Sequence, residues 1–326
     1  MIDTGGRTSP TAARAAERGM NLVETMLVLL TLSIMSAMII NSMRRFTSAH
    51  AYSEGQARVS EVGDRVVRQM SDDAAFASHV FTTAGFASAY LAKCDLTGLT
   101  LFNPVAPTAT EKGYFEKDVA GSPATGNFLL MAKAAEPFLA DLVGDRSQIV
   151  SATTYRLLLY GLVSQPDQNI DVARWVSQKL ARLNDIERIT SPVSRTVLCQ
   201  KLYDKGFRFA WEPGRAVAAG LMAITASGSL RPLNPTERIP GENAELRSAM
   251  LKLQRMSVAR NGTLPTVAVP AYAIANGDFP GGFEVKVDGN AQGRMILLRL
   301  VVVGVVFDGN RNAVVFSRTM SNRGTM

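Results

Sequence analysis

Residues 18–43 read RGMNLVETMLVLLTLSIMSAMIINSM, and the fold turns on them. Between Met20 and Met43 the only ionisable side chain is Glu24, and Arg44 and Arg45 close the run. At 1.5 Å per residue a helix over these positions is about 36 Å long, enough to cross the hydrocarbon core of a bilayer. Its apolar residues surround the axis instead of lining one stripe, as a helix immersed in lipid requires. A charge inside such a run costs about 2.5 kcal/mol or more. Glu24 therefore needs a partner, a neutralising proton or a route to the headgroups.

Residues 1–19, MIDTGGRTSPTAARAAERG, are polar and small, with Arg7, Arg14 and Arg18 against Asp3 and Glu17. A basic leader before an apolar stretch also suits a secretory signal. Against that stand Glu24 inside the run and the poor cleavage site at Met35-Ser36-Ala37. Arginines flank both ends of the run, so they do not fix its orientation.

The heptapeptide Arg18-Gly19-Met20-Asn21-Leu22-Val23-Glu24 resembles the class III signal of type IV pilins and pseudopilins. The resemblance implies that a prepilin peptidase cuts after Gly19 and methylates the new N-terminus at Met20, leaving the hydrophobic helix intact. Glu24 becomes the fifth mature residue and pairs with the Met20 ammonium of a neighbouring subunit, setting the stagger between helices. Met20 replaces the commoner Phe and Asn21 the usual Thr, and the leader is longer than in short-leader pilins. The helix lacks the proline of many major pilins, which leans toward a minor pilin or pseudopilin. The expected partners are the prepilin peptidase, other pilin or pseudopilin subunits, the inner-membrane assembly platform and the lipid bilayer. The expected location is the bacterial inner membrane, single-pass with the N-terminus cytoplasmic, and then a periplasmic or cell-surface filament. A pilus, a type II secretion pseudopilus and a DNA-uptake pilus all fit. The alternative from a different class is an unprocessed, single-pass extracytoplasmic protein that binds a ligand or DNA.

Composition narrows the rest. The chain has 326 residues, 47% hydrophobic and 19% charged, which is too apolar for a disordered chain. Two histidines, His50 and His79, and two cysteines, Cys94 and Cys199, disfavour a metal scaffold. No phosphate-binding loop, zinc-protease motif or nucleophile elbow occurs, so no enzyme and no cofactor is expected. The net charge of +7 is mild. Arg247, Lys252, Arg255 and Arg260, or Arg311, Arg318 and Arg323, suit DNA phosphates, but no aromatic interleaving accompanies them and a solvated surface is the default. Outside the cytoplasm a Cys94–Cys199 disulfide is permitted. It would close a loop of about 105 residues and contribute about 4–5 kcal/mol in the loop-entropy model; two separate buried thiols are the alternative.

Along the chain, Phe46, Ala49, Tyr52, Val59, Val62, Val66 and Met70 recur at three- and four-residue steps and predict that the helix continues to a stop near Thr82–Gly85. Asn127–Val143 reads as a helix containing Pro137, and residues 152–163 as a buried strand or helix. Ile170–Ile189 reads as an amphipathic helix with Val172, Trp175, Val176, Leu180, Leu183 and Ile186 on one face. Phe207–Trp211 and Ala216–Thr225 read as strands, and residues 244–257 as a short helix. Phe283–Val287, Met295–Phe307 and Asn312–Met320 read as sheet, the last two joined by a turn at Asp308-Gly309-Asn310-Arg311. Asp308, Asn310 and Asn312 begin like a calcium loop, but Ala313 and Thr319 break the pattern and favour the turn.

The expected class is thus α+β and pilin-like: a long N-terminal transmembrane helix, then a globular head with antiparallel β-sheet and a helical insertion. This order most resembles the larger minor pilins of the W/J type. The expected parts are a cleaved leader (1–19), a hydrophobic and amphipathic helix (20–82) and an extracytoplasmic head (83–326).

Overall fold

The computed structural model describes residues 21–81, 84–101, 104, 107, 109–110, 126–142, 149–164, 170–242, 256–258, 282–290, 293–307 and 311–324. The chain divides into two compact units, Met1–His50 and Ala51–Met326. Helix α1 (Leu22–Ala75) supplies the described part of the first unit and, from Ala51 onward, belongs to the second.

In the first unit the helix is apolar and exposed on every side; Leu22, Leu30 and Met38 are each more than half exposed. Several of its hydroxyls bond back to its own backbone. Thr25 Oγ1 donates to Asn21 O (3.1 Å), Thr31 Oγ1 to Leu27 O (3.0 Å) and Ser33 Oγ to Leu29 O (2.7 Å). Such back-bonding satisfies polar groups where no water is at hand. The helix is long and apolar enough to cross a membrane by length and composition.

In the second unit the pattern changes to a stripe. Val59, Val62, Val66, Val67, Met70 and Ala74 are buried. The helix is followed by β1 (Ala77–Val80), α2 (Ala84–Leu91), β2 (Ala109–Thr110), β3 (Phe128–Asp141), β4 (Ile149–Ser164), β5 (Ile170–Val176) and β6 (Leu180–Arg182). Then come α3 (Leu183–Glu187), α4 (Pro192–Asp204), β7 (Phe209–Trp211), α5 (Val217–Gly220), β8 (Leu221–Ile224) and β9 (Leu230–Pro232). Strands β10 (Met256–Val258), β11 (Phe283–Asn290), β12 (Gly293–Phe307) and β13 (Arg311–Gly324) complete the described chain.

Two sheets result. The first runs β1-β3-β4-β6-β7-β8-β9, with β5 also on β4; the second runs β10-β12-β11-β2, with β13 on β12. Pairing is antiparallel except at β6–β7 and β11–β2. The sheets are stitched together at two points. Gly126 and Val285 exchange both backbone hydrogen bonds at 2.8 Å, and Ile170 N donates to Ser257 Oγ at 3.0 Å.

One core cluster joins the α1 stripe to one face of the first sheet (Leu129, Met131, Leu158, Tyr160, Val172) and to a face of the second (Val285, Val287, Ile296, Leu298). A second cluster lies on the opposite face of the first sheet, around Phe128, Leu130, Leu157, Leu159, Trp175 and Trp211. The middle of the first sheet, over Phe128–Ala132 of β3 and the facing parts of β4 and β5, is therefore buried on both faces, which explains its near-continuous apolar sequence.

Several local expectations are corrected. The predicted helix over Asn127–Val143 is strand β3, paired along its length with β4. Pro137 sits at the register shift between Ala135 and Phe138, where a missing N–H is tolerated. The predicted helix over Ile170–Ile189 is β5, β6 and the single turn α3. Its apolar residues serve two faces: Val172 and Val176 enter the first cluster, Ala173 and Trp175 the second. A strand filled on both sides shows no alternation, so its spacing mimicked a helix. The helical insertion is thus mostly sheet; α4, a helix the sequence reading did not place, lies beyond it. Helix α1 stops at Ala75, short of Thr82–Gly85, and Phe46 and Tyr52 are exposed and not part of the stripe. Val217–Gly220 is a helical turn before strand β8, where the sequence suggested one continuous strand.

Other expectations agree. Residues 152–163 lie in β4, Trp175 is core, and β12 pairs with β13 from Arg294–Gly324 to Phe307–Arg311. Residues 308–310 and most of 244–257 lie outside the described residues, though Met256 and Ser257 are strand.

Candidate functional site

Gly19 and Met20 lie outside the described residues. The helix they precede begins with Asn21 at the N-cap position and Glu24 in the first turn. The Glu24 carboxylate reaches back and accepts from the Asn21 backbone N–H at 3.2 Å. This is one half of a capping box, in which the third helical residue satisfies a donor that the helix cannot. A negative group here also faces the positive end of the helix dipole. The one carboxylate in the apolar run therefore stands where backbone N–H groups are in surplus.

At the far end of α1 the structure builds a second polar site that the sequence reading did not find. Asp73 lies on the buried stripe, one turn beyond Met70, with its side chain only 8% exposed. Arg174 of β5 reaches it through NH2 at 2.8 Å and Nε at 2.9 Å. Tyr160 of β4 donates its hydroxyl to Asp73 Oδ2 at 2.6 Å, and Lys133 of β3 lies 3.3 Å from Oδ1. The helix end is thus tied to three successive strands through one carboxylate. Burial, and the adjacent Asp73 charge, push the Tyr160 hydroxyl well above the ordinary phenol range, so it stays a donor. The sequence did carry a signal: an acid on an apolar stripe needs a cation, and Arg174 is the one cation of strand β5, between Ala173 and Trp175.

The two cysteines are not joined. Both are free and buried. Cys94 belongs to the second core cluster, where its thiol lies 3.4 Å from Tyr90 O, whereas Cys199 sits on α4 in a third cluster with Leu183, Ile186, Leu198 and Leu202. The bridge considered from sequence is replaced by two separate thiols, because different sheet faces hold them. Burial pushes Cys94 up to about 12 and Cys199 up to about 11. Of the two basic sets, Arg247, Lys252, Arg255 and Arg260 lie outside the described residues, and Arg311, Arg318 and Arg323 follow one another along β13. Among the described residues, no group of three or more His, Cys, Asp or Glu could hold a metal ion.

The chain matches no known family model, no curated protein and no solved structure.

Proposed function

We propose that this chain is a structural subunit, a minor pilin or pseudopilin, of a type IV filament system. In this reading it is processed after Gly19, methylated at Met20 and assembled through its N-terminal helix. It is stored in the inner membrane, N-terminus inward, and drawn into a filament with other pilin-like subunits by the assembly platform. The observation that carries the reading is the junction at residues 18–24. A Gly-Met bond is followed at once by an uninterrupted apolar helix whose single carboxylate stands in its first turn. A removable targeting signal has no use for that carboxylate, whereas a helix meant to pack against copies of itself does: an ammonium on a neighbour complements it. The exposed apolar surface of residues 22–43 suits first lipid and then other helices. The chain then acts by assembly, with no catalytic residue and no cofactor.

The test is the intact mass and N-terminal peptide of the protein made with and without a prepilin peptidase. Peptidase-dependent loss of residues 1–19, leaving methylated Met20, is expected, and Gly19→Asp should block it. An unprocessed Met1 start beside an active peptidase, or a cut near Ala37, would overturn the reading in favour of an anchored or secreted binding protein.

A further inference from the structure

Beyond the end of helix α1, the same face of the first sheet opens into a groove of about 540 Å³. Lys133, Arg156, Arg174 and Lys179 line it, with Glu136 at its rim and Leu158 beneath. The strand registers explain the crowding of cations. Lys133 stands directly opposite Arg156 across β3–β4, and Arg174 stands opposite Tyr160 across β4–β5, all on one face. Like charges placed directly opposite in a sheet are destabilising, so an arrangement of this kind calls for an anion.

The anions supplied by the described chain cover it thinly. Asp73 is shared between Lys133 and Arg174. Glu136 meets Lys179 at 3.9 Å from a side chain that is 92% exposed, a contact of little worth in water. Arg156 is paired with Glu242, an exposed residue whose backbone N–H donates to Val176 O. Burial, and then the neighbouring Arg174 charge, hold the Arg156 guanidinium below its ordinary range. Lys133, Arg156, Arg174 and Lys179 thus face only Asp73, Glu136 and Glu242 among the described residues, and the site gains from further negative charge.

We propose that this groove is an oxyanion site for a phosphate group, with Glu242 as its built-in competitor. A phosphate dianion carries up to twice the charge of the carboxylate it displaces and more acceptor oxygens. It can therefore engage Lys133, Arg156 and Arg174, which approach from three different strands. Arg174 and Arg156 are recessed, 16% and 30% exposed, and suit a compact group entering the groove better than the widely spaced phosphates of a duplex, while Lys133 at 38% stands nearer the mouth. The phosphate is either free or the end of a small ester such as a lipid headgroup; both present the same chemistry. The site does not depend on the filament reading, since an anchored binding protein would carry it equally.

The experiment is calorimetric titration of inorganic phosphate, and separately of glycerol phosphate, into the full chain in detergent. Wild type, Glu242→Gln and Arg156→Gln are compared, each checked by circular dichroism. Saturable binding is expected in the wild type. It should tighten about tenfold in Glu242→Gln, which removes the competitor, and weaken by about tenfold or more in Arg156→Gln. A gain in Glu242→Gln is a result that misfolding cannot imitate. Tighter binding of glycerol phosphate would mark an esterified ligand, and tighter binding of orthophosphate the free ion. Absence of saturable binding in both wild type and Glu242→Gln, or unchanged affinity in Arg156→Gln, overturns the proposal.

Discussion

The two halves of α1 share one helix and almost nothing else. From Leu22 to Met43 the helix is apolar all round and exposed, and Thr25, Thr31 and Ser33 bond back to the helix itself. From Val59 to Ala74 the apolar residues form a stripe buried in the first core cluster, and most of the remaining positions are polar or charged, with Arg65 and Glu61 paired one turn apart as Arg58 and Glu54 are just before them. The contrast separates helix formation from helix burial. Both halves satisfy their backbone internally, so both are helical. Only the second has a surface complementary to two β-sheets, and only its stripe is a source of stability in water.

The comparison breaks most decisively at Asp73. Asp73→Ala leaves Arg174 and Tyr160 without their shared acceptor and should cost about 3–5 kcal/mol. Urea unfolding of the full chain in detergent would show this as a lowered midpoint; an unchanged midpoint would mean that the helix end is not fixed to the sheet as described.

A matched pair of methionines on the same helix sharpens it. Met70 is fully buried and Met35 is 61% exposed. Met70→Ala should lose about 2–5 kcal/mol, whereas Met35→Ala should stay within about 0.5 kcal/mol in detergent. Equal losses would show that both halves are buried alike.

The smallest effect concerns the thiols. In the folded chain Cys94 and Cys199 hold their protons to about 12 and about 11, against 9.0 for an exposed thiol. The unfolded chain releases those protons first, so stability is intact below pH 9.0 and falls as pH rises toward these values. A Cys94→Ala, Cys199→Ala variant should therefore lose less stability than wild type between mildly and strongly alkaline pH. Near pH 8, native wild type should resist a thiol reagent and react at both cysteines once denatured. Two thiols that stay unreactive in denaturant until reduced would instead indicate a disulfide.

How legible each part was follows from the pattern its apolar residues leave. The apolar helix announced itself because residues that are apolar all round leave no periodicity to misread. Strand β11 was readable because Phe283, Val285 and Val287 alternate with Glu284 and Lys286, although all five are buried, and the β12–β13 hairpin because Asp308-Gly309-Asn310 marks a turn between two apolar runs. Strand β5 and the first part of β3 were misread because both of their faces are filled, and Pro137 gave no warning because it sits in a bulge. The cationic groove was invisible for another reason. Lys133, Arg156 and Arg174 are well separated in sequence, and only the β3–β4–β5 register brings them to one face. Glu24, in contrast, was legible because it is one charge in an apolar context, and its backbone partner lies three residues away.

The Asp73 clamp also sets an order of events. Its partners follow it in the chain by 60 residues at Lys133, 87 at Tyr160 and 101 at Arg174. A chain emerging from its N-terminus displays the Val59–Met70 stripe long before β5 exists to cover it. Closing so wide a loop is slow relative to forming the helix. For that interval the nascent chain carries a preformed helix with one sticky side, and its fate depends on whether the strands arrive before a neighbour does.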